Sequence, residues 1–193
     1  AIGDSTFLKE KDEKIGTKAL IVNIEGFLDF NTSLIAAEFE KRGISCKITA
    51  VTTDEIKTLR KNPSEMRSSN ISKIMENESV RAKFEAAVNA VVHDEDLVVL
   101  PAVFGLNSYA SVEDVRRKIS AKTIFLGTLP PSVAGIRSQR QLKESFIAAG
   151  GTFLMGDEVV SAQLEDGAVK SVRTENLGDE DLFAENFILA SGS

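Results

Sequence analysis

The sequence has few of the residues and segments that many binding functions require. Among 193 residues it contains one cysteine and one histidine, and the 23 lysines and arginines are outnumbered by 29 aspartates and glutamates. A single cysteine cannot form an internal disulfide, which fits a reducing compartment. The acidic balance and the lack of a basic cluster argue against a nucleic acid as partner. No apolar run is long enough to cross a bilayer, so direct membrane insertion is not expected.

Two common ligand-binding motifs are missing as well. No G-x-G-x-x-G follows an apolar run, so the sequence lacks the fingerprint of a dinucleotide-binding loop. Gly151 and Gly156 have the spacing of a phosphate-binding loop, but Asp157 and Glu158 stand where lysine and serine are needed, and their charges would repel phosphate. His93 lies among acidic residues and is interpreted as an exposed residue at a helix end. We therefore predict no metal site.

The sequence does contain short apolar or alternating runs that are typical of buried strands. We predict strands near residues 18–24, 44–51, 96–101 and 122–128, separated by helical segments. Strands that alternate with helices favour a mostly parallel, Rossmann-like α/β sheet with helices on both faces and right-handed crossovers. Cys46, within the second run, is interpreted as a small buried hydrophobe.

Caps and apolar stripes indicate the helices between these strands. Asn31 or Thr32 can cap a helix that Gly43 ends, and residues 52–78 predict a loop followed by a short helix from Asn70. A further helix is predicted to follow Ser79, because apolar residues recur at helical spacing and form one stripe: Val80, Phe84, Val88 and Val91.

Two further helices are predicted in the second half of the chain. Ser111 with Asp114 resembles a capping box, with Val112, Val115 and Ile119 facing inward. The last helix is predicted over residues 132–149, ahead of two consecutive glycines.

The C-terminal part of the sequence predicts an antiparallel β-meander. Alternating residues on either side of Asp166-Gly167 indicate a hairpin, and residues 187–190 indicate a buried strand that leads into a small-residue turn. We therefore expect a polar tail over residues 1–17, an α/β unit over 18–129, and a helix plus meander over 130–193. The polar start without methionine and the abrupt end both suggest an internal piece of a longer protein.

The candidate ligand site lies where the predicted parallel strands end. Ligands of open parallel sheets bind outside the carboxyl ends of the strands, and three loops at residues 25–29, 101–107 and 128–132 follow those ends. Phe27 and Phe104 in two of these loops are interpreted as core residues rather than as a stacking surface.

The third loop carries the strongest indication of an anion site. Ser132 begins a helix whose first backbone N–H groups lack helical partners, and Arg137 with Arg140 adds positive charge, which would suit a phosphate or carboxylate. The alternative is a well-capped turn followed by solvated arginines.

Several segments in register resemble one known family. "LPPSVAGIRSQRQL", "GGTFLMGDEVV", "DGAVKSVRTEN" and "FILASGS" resemble the family of the B subunit of anaerobic glycerol-3-phosphate dehydrogenase, as do "IEGFLDFNTSLIAAEFEKRG", "LRKNPSEMRSSNISKIMENE" and "LPAVFGL" upstream. The resemblance covers about residues 18–193.

The resemblance implies a flavoprotein of the FAD/NAD(P)-binding superfamily. Members carry a glycine-rich nucleotide motif near the N-terminus and a second flavin-contacting segment near the C-terminus. Because neither is present, we expect an internal fragment that binds no cofactor and is inactive alone. The resemblance places Ser191 and Gly192 toward the flavin, and Ser132, Gly135 and Arg137 on the anion or substrate side.

The resemblance also implies partners and a reaction for the parent protein. The parent would carry FMN and relay electrons as sn-glycerol 3-phosphate is oxidised to dihydroxyacetone phosphate, with quinone as acceptor. Its partners would be the flavoprotein A subunit of the same complex and the membrane-anchoring iron–sulfur C subunit, at the cytoplasmic face of the cell membrane. Two alternatives stay open: a stand-alone α/β module that binds small anions, and a structural insertion that forms a subunit interface.

Overall fold

A four-stranded parallel sheet forms the first part of the chain in a computed structural model that describes residues 17–178 and 180–191. The strand order is β2-β1-β3-β4 and every pairing is parallel. The strands are β1 (Lys18–Ile24), β2 (Ser45–Val51), β3 (Leu97–Pro101) and β4 (Lys122–Leu126). The predicted parallel strands are therefore confirmed, including the parallel pairing of the first with the third.

Six α-helices within the described residues connect or follow these strands. The chain reverses its direction across the sheet after β2, because β2 and β3 lie on opposite sides of β1. With right-handed crossovers, the general rule for parallel strands, this order puts α1 on one face of the sheet and the helices before and after β3 on the other. The helices are α1 (Thr32–Glu40), α2 (Asp54–Arg60), α3 (Ser68–Met75), α4 (Glu78–Asn89), α5 (Ala110–Lys118) and α6 (Val133–Ala148), with a 3-10 turn at Pro63–Glu65.

The core lies on both faces of the two central strands. All five residues of β3 are buried, which explains its uninterrupted apolar sequence. Phe104 packs against Phe84 and Phe125, each with ring centroids 5.6 Å apart. Phe27 is 1 % exposed and Phe104 is 3 % exposed, so both are core residues as predicted.

Asparagine side chains cap two of the predicted helices, α1 and α4. The Asn31 side chain accepts from the backbone N–H of Leu34 at 3.0 Å and caps α1, as predicted. The cap of α4 is Asn77, whose Oδ1 accepts from the backbone N–H of Ser79, so the helix begins before the expected serine.

The capping box predicted at α5 is wrong. Tyr109 occupies the cap position without a side-chain hydrogen bond, and the Ser111 hydroxyl donates to the carbonyl oxygen of Ser108 at 3.2 Å. Asp114 instead pairs with Arg81, 33 residues away, at 3.2 Å. A local pattern could not reveal this competing partner.

The irregular stretch before α4 is more helical than predicted. α2 occupies residues expected to form a loop, and the Thr53 hydroxyl caps it by accepting from the backbone N–H of Ile56 at 3.3 Å. α3 begins at Ser68, two residues earlier than predicted. Cys46 is half-buried rather than buried, because β2 is an edge strand of the sheet.

The chain divides into two compact units, one through Leu142 and one from Lys143. In the second unit, β5 (Val159–Glu165), β6 (Ala168–Thr174) and β7 (Leu182–Phe183) form an antiparallel sheet in that order. The hairpin predicted at Asp166-Gly167 is confirmed, with φ of 51° and 80° at the two residues.

The strand predicted over residues 187–190 is wrong. This segment has no regular structure, and Ile188 and Leu189 are 91 % and 90 % exposed. Among described residues 143–178 and 180–191, no apolar side chain is buried, so this part of the unit offers the segment no core to pack on. No helix in the described part of the chain is long and apolar enough to cross a membrane.

Candidate functional site

The carboxyl ends of the parallel strands meet at one edge of the sheet. Their loops are joined there by backbone hydrogen bonds: the N–H of Leu129 donates to the carbonyl oxygen of Asp29 at 2.9 Å, and the N–H of Ala102 donates to that of Leu126 at 2.8 Å. The structure therefore brings the first and third predicted loops into contact.

The start of α3 also reaches this edge, which the sequence did not indicate. The Ser68 hydroxyl donates to the carbonyl oxygen of Pro131 at 2.7 Å. Arg67 lies 3.7 Å from the Asp29 carboxylate, whose side chain is only 16 % exposed. The sequence predicted a short helix from Asn70, near this point, without indicating what the helix would contact.

Ser132 caps the helix that it precedes. Its hydroxyl oxygen accepts from the backbone N–H of Gly135 at 3.1 Å, and its carbonyl accepts from the N–H of Ile136 at 3.0 Å. A Cβ at Gly135 would lie 3.1 Å from that hydroxyl oxygen, so glycine lets the capping side chain fold closely over the first turn. One of the N–H groups considered for an anion thus has an internal partner.

Arg137 is half-buried and has partners inside the protein. Its guanidinium donates to the carbonyl oxygen of Gly105 and lies 5.2 Å from the centre of the Tyr109 ring. Arg140, on the next turn of α6, donates to the side-chain oxygen of Asn107 at 2.7 Å. The arginines expected near a bound anion therefore contact the second loop of the same edge.

The remaining proposed site residues lie in the second unit. Ser191 is exposed and outside any helix or strand, and Gly192 lies outside the described residues. Ser132, Gly135 and Arg137 belong to the first unit.

Histidine and carboxylate groups show no arrangement suited to metal binding in the described residues. His93 is exposed and follows the end of α4, as predicted, and its backbone N–H donates to the Glu95 carboxylate at 2.8 Å. Within residues 17–178 and 180–191, no three histidine, cysteine, aspartate or glutamate side chains converge as metal ligands would.

The first strand–helix turn does not form a cradle for a pyrophosphate. Such cradles need glycines that let the backbone approach the phosphates at a helix start. Here Asn31 already caps α1, and the space beside Gly26 is filled by the Arg60 side chain, 2.9 Å from where a Cβ would stand. This turn therefore does not fit the phosphate end of a flavin nucleotide.

Comparison with known proteins finds one family model and a group of similar proteins that each match nine-tenths or more of the chain. A family model described as "FAD binding domain" matches residues 9–193. Proteins named as the B subunit of anaerobic glycerol-3-phosphate dehydrogenase are similar: that of Pectobacterium atrosepticum is 32 % identical over 94 % of this chain and 43 % of its own length. Those of Yersinia pestis and Haemophilus influenzae are 32 % and 34 % identical, over 91 % and 90 % of this chain and 42 % and 41 % of their own lengths.

The chain thus spans about two fifths of the length of the curated relatives it matches. No solved structure matches it.

Proposed function

This chain belongs to the FAD binding domain family, and we propose that it is part of the flavoprotein B subunit of an anaerobic glycerol-3-phosphate dehydrogenase. The observation that carries the proposal is the similarity to proteins of that name over nine-tenths or more of the chain. These matches confirm the resemblance of the sequence segments. They support a role within a flavin-dependent dehydrogenase of several subunits.

The proposed role is electron relay. The complex would oxidise sn-glycerol 3-phosphate to dihydroxyacetone phosphate, and its B subunit would pass the electrons toward quinone together with the flavoprotein A subunit, through the membrane-anchoring iron–sulfur C subunit. We place the complex at the cytoplasmic face of the membrane. The relatives' names, in which a letter distinguishes one subunit from others, support the existence of partner subunits.

The proposed cofactor of the parent protein is FMN, whereas the family description names FAD. A flavin would supply one- and two-electron transfer when bound. Because the described strand–helix turn does not fit a flavin phosphate, we propose that this 193-residue chain alone holds no flavin. Ser191 and Gly192 stay proposed as flavin-side residues, and Ser132, Gly135 and Arg137 as substrate-side residues.

An interface with partner subunits is the second candidate function, and the second unit favours it. Its described residues bury no apolar side chain, while Leu164, Phe183, Ile188 and Leu189 are between 67 % and 91 % exposed. Extensive exposed apolar surface in a soluble protein usually marks an interaction. By contrast, the stand-alone anion-binding module loses support because Arg137 contacts loop carbonyls.

The test compares the 193-residue chain with the complete reading frame, each purified alone and with the partner subunits. We expect the 193-residue chain to be colourless and unable to reduce a dye with glycerol 3-phosphate. The complete protein in its complex should reduce the dye. A yellow 193-residue chain with near-equimolar flavin would overturn the cofactor proposal, and a complex without glycerol 3-phosphate oxidation would overturn the assigned reaction.

A further inference from the structure

The loop after β3, residues 104–109, is attached to the first two turns of α6 by several separate contacts. Arg137 Nη1 donates to the carbonyl oxygen of Gly105 and lies 3.5 Å from that of Phe104. The same guanidinium lies 5.2 Å from the Tyr109 ring centre. One turn later, Arg140 binds Asn107 at 2.7 Å. All of these residues belong to the first unit.

The backbone of this loop is shaped for that approach. Gly105 has φ of 75°, and a Cβ there would lie 2.8 Å from Val112 Cγ2 and 2.9 Å from Arg137 Nη1. Glycine is therefore needed both for the backbone conformation and for the space that the guanidinium occupies. Leu106, the next residue, is 5 % exposed, so the loop is anchored by a buried side chain and also held by α6.

We propose that Arg137 is a positioning residue that latches residues 104–109 onto α6 and so fixes the shape of the carboxyl edge of β3. Arginine suits this task because its planar, multiply donating fork can serve carbonyl oxygens while its flat face lies on an aromatic ring. Lysine lacks the planar fork. The latch depends on contacts within the first unit and is independent of the proposed dehydrogenase function.

Tyr109 offers a spectroscopic reporter of this latch. It is the only tyrosine of the chain, and the sequence contains no tryptophan. A tyrosine ring that is fixed against a neighbour gives a near-ultraviolet circular dichroism band, which is lost when the ring becomes mobile. The tyrosine band therefore reports on this single ring.

The test compares Arg137→Ala, Arg137→Met and Arg137→Lys with Arg42→Ala, which removes an exposed positive charge elsewhere. The alanine and methionine variants should lose most of the tyrosine band. Amide hydrogen exchange at residues 105–109 should become roughly ten-fold faster, which corresponds to about 1.4 kcal/mol. The lysine variant should recover only part of both signals, and Arg42→Ala should match the wild type.

Arg137→Met keeps the apolar stem of the side chain, so it keeps the test valid if the alanine variant does not fold. An unchanged tyrosine band and unchanged exchange in a folded Arg137→Met protein would overturn the latch. Full recovery by lysine would overturn the requirement for the guanidinium fork.

Discussion

Glu85 is a nearly buried carboxylate between α4 and α5, with charged neighbours of both signs. Its side chain is 5 % exposed and lies 3.9 Å from Arg81 and 3.7 Å from Lys118, while Asp114 faces the same two cations. Burial raises the pKa of Glu85, and the nearby Asp114 adds to this, against the opposing effect of Lys118 and Arg81. The charged form of Glu85 is therefore disfavoured in the folded protein.

Glu85→Gln should stabilise the protein at neutral pH by a few tenths to about 1 kcal/mol, because the buried charge is removed while the shape is kept. A carboxyl whose folded pKa is raised gains stability as pH falls toward that pKa, so the advantage of the variant should shrink in acid. Urea unfolding at several pH values measures this. Glu113→Gln, at a carboxylate that is 45 % exposed, is the control. A variant less stable at neutral pH would show that the ion pairs outweigh desolvation.

The contribution of Glu55 to folding stability has the opposite pH dependence. A hydrogen bond from Lys83 at 2.6 Å, together with the backbone N–H of Glu55 and the Thr53 hydroxyl, lowers the pKa of Glu55 to about 2. Its stabilising contribution is present above the ordinary glutamate pKa and is lost as pH falls through about 2. Lys83→Met should therefore lower the urea midpoint at neutral pH and converge on the wild type in acid. Equal midpoints at neutral pH would contradict the pairing. Lys57→Met, at an exposed pair on α2, is the control.

The sequence could not predict contacts between residues that lie far apart in the chain. Phe27 and Phe104 were placed correctly because their apolar character and that of the neighbouring strands define a core. Arg137 was expected beside an anion, but its carbonyl partner is 32 residues away in the chain. A periodic pattern carries no information about such a partner.

At the scale of elements, the parallel arrangement of the strands was easier to predict than the neighbours against which a strand packs. Strands β1, β3 and β4 combine apolar runs with intervening helices, and this combination favours a parallel sheet. The segment at residues 187–190 has a similar apolar composition but lies exposed, because a strand needs a neighbour that its own sequence does not specify. The turn residues Asp166-Gly167 predicted the hairpin correctly, because the turn needs positive φ angles that these residue types adopt readily.

Gly167→Ala tests the hairpin directly. Gly167 has φ of 80°, where a side chain costs about 1 kcal/mol, so the β5–β6 hairpin should loosen. Amide exchange over residues 159–174 should become several-fold faster in the variant. Gly127→Ala is a matched control, since Gly127 has ordinary φ and open space around its Cβ position. If both variants exchange like the wild type, the turn does not need its glycine.

At the scale of the whole molecule, the two units differ in how they are stabilised. The first has a continuous core on both faces of its sheet. The second, in its described residues, buries only the polar residues Ser171 and Thr174. Hydrophobic burial is the main favourable term in folding, so the second unit is expected to depend on further polypeptide for its stability. Membership of a flavin-binding family that includes much longer relatives is consistent with this expectation.

Flavin content of the protein made from the complete reading frame is the most direct measurement. The protein is purified under native conditions, its cofactor is released by acid, and the flavin is quantified by absorbance and identified by mass. We expect about one flavin per polypeptide, with the mass of FMN, as for a flavoprotein whose protein part positions a redox cofactor. A folded, complete protein without flavin, even after incubation with FMN and FAD, would contradict its proposed place in a flavoprotein dehydrogenase.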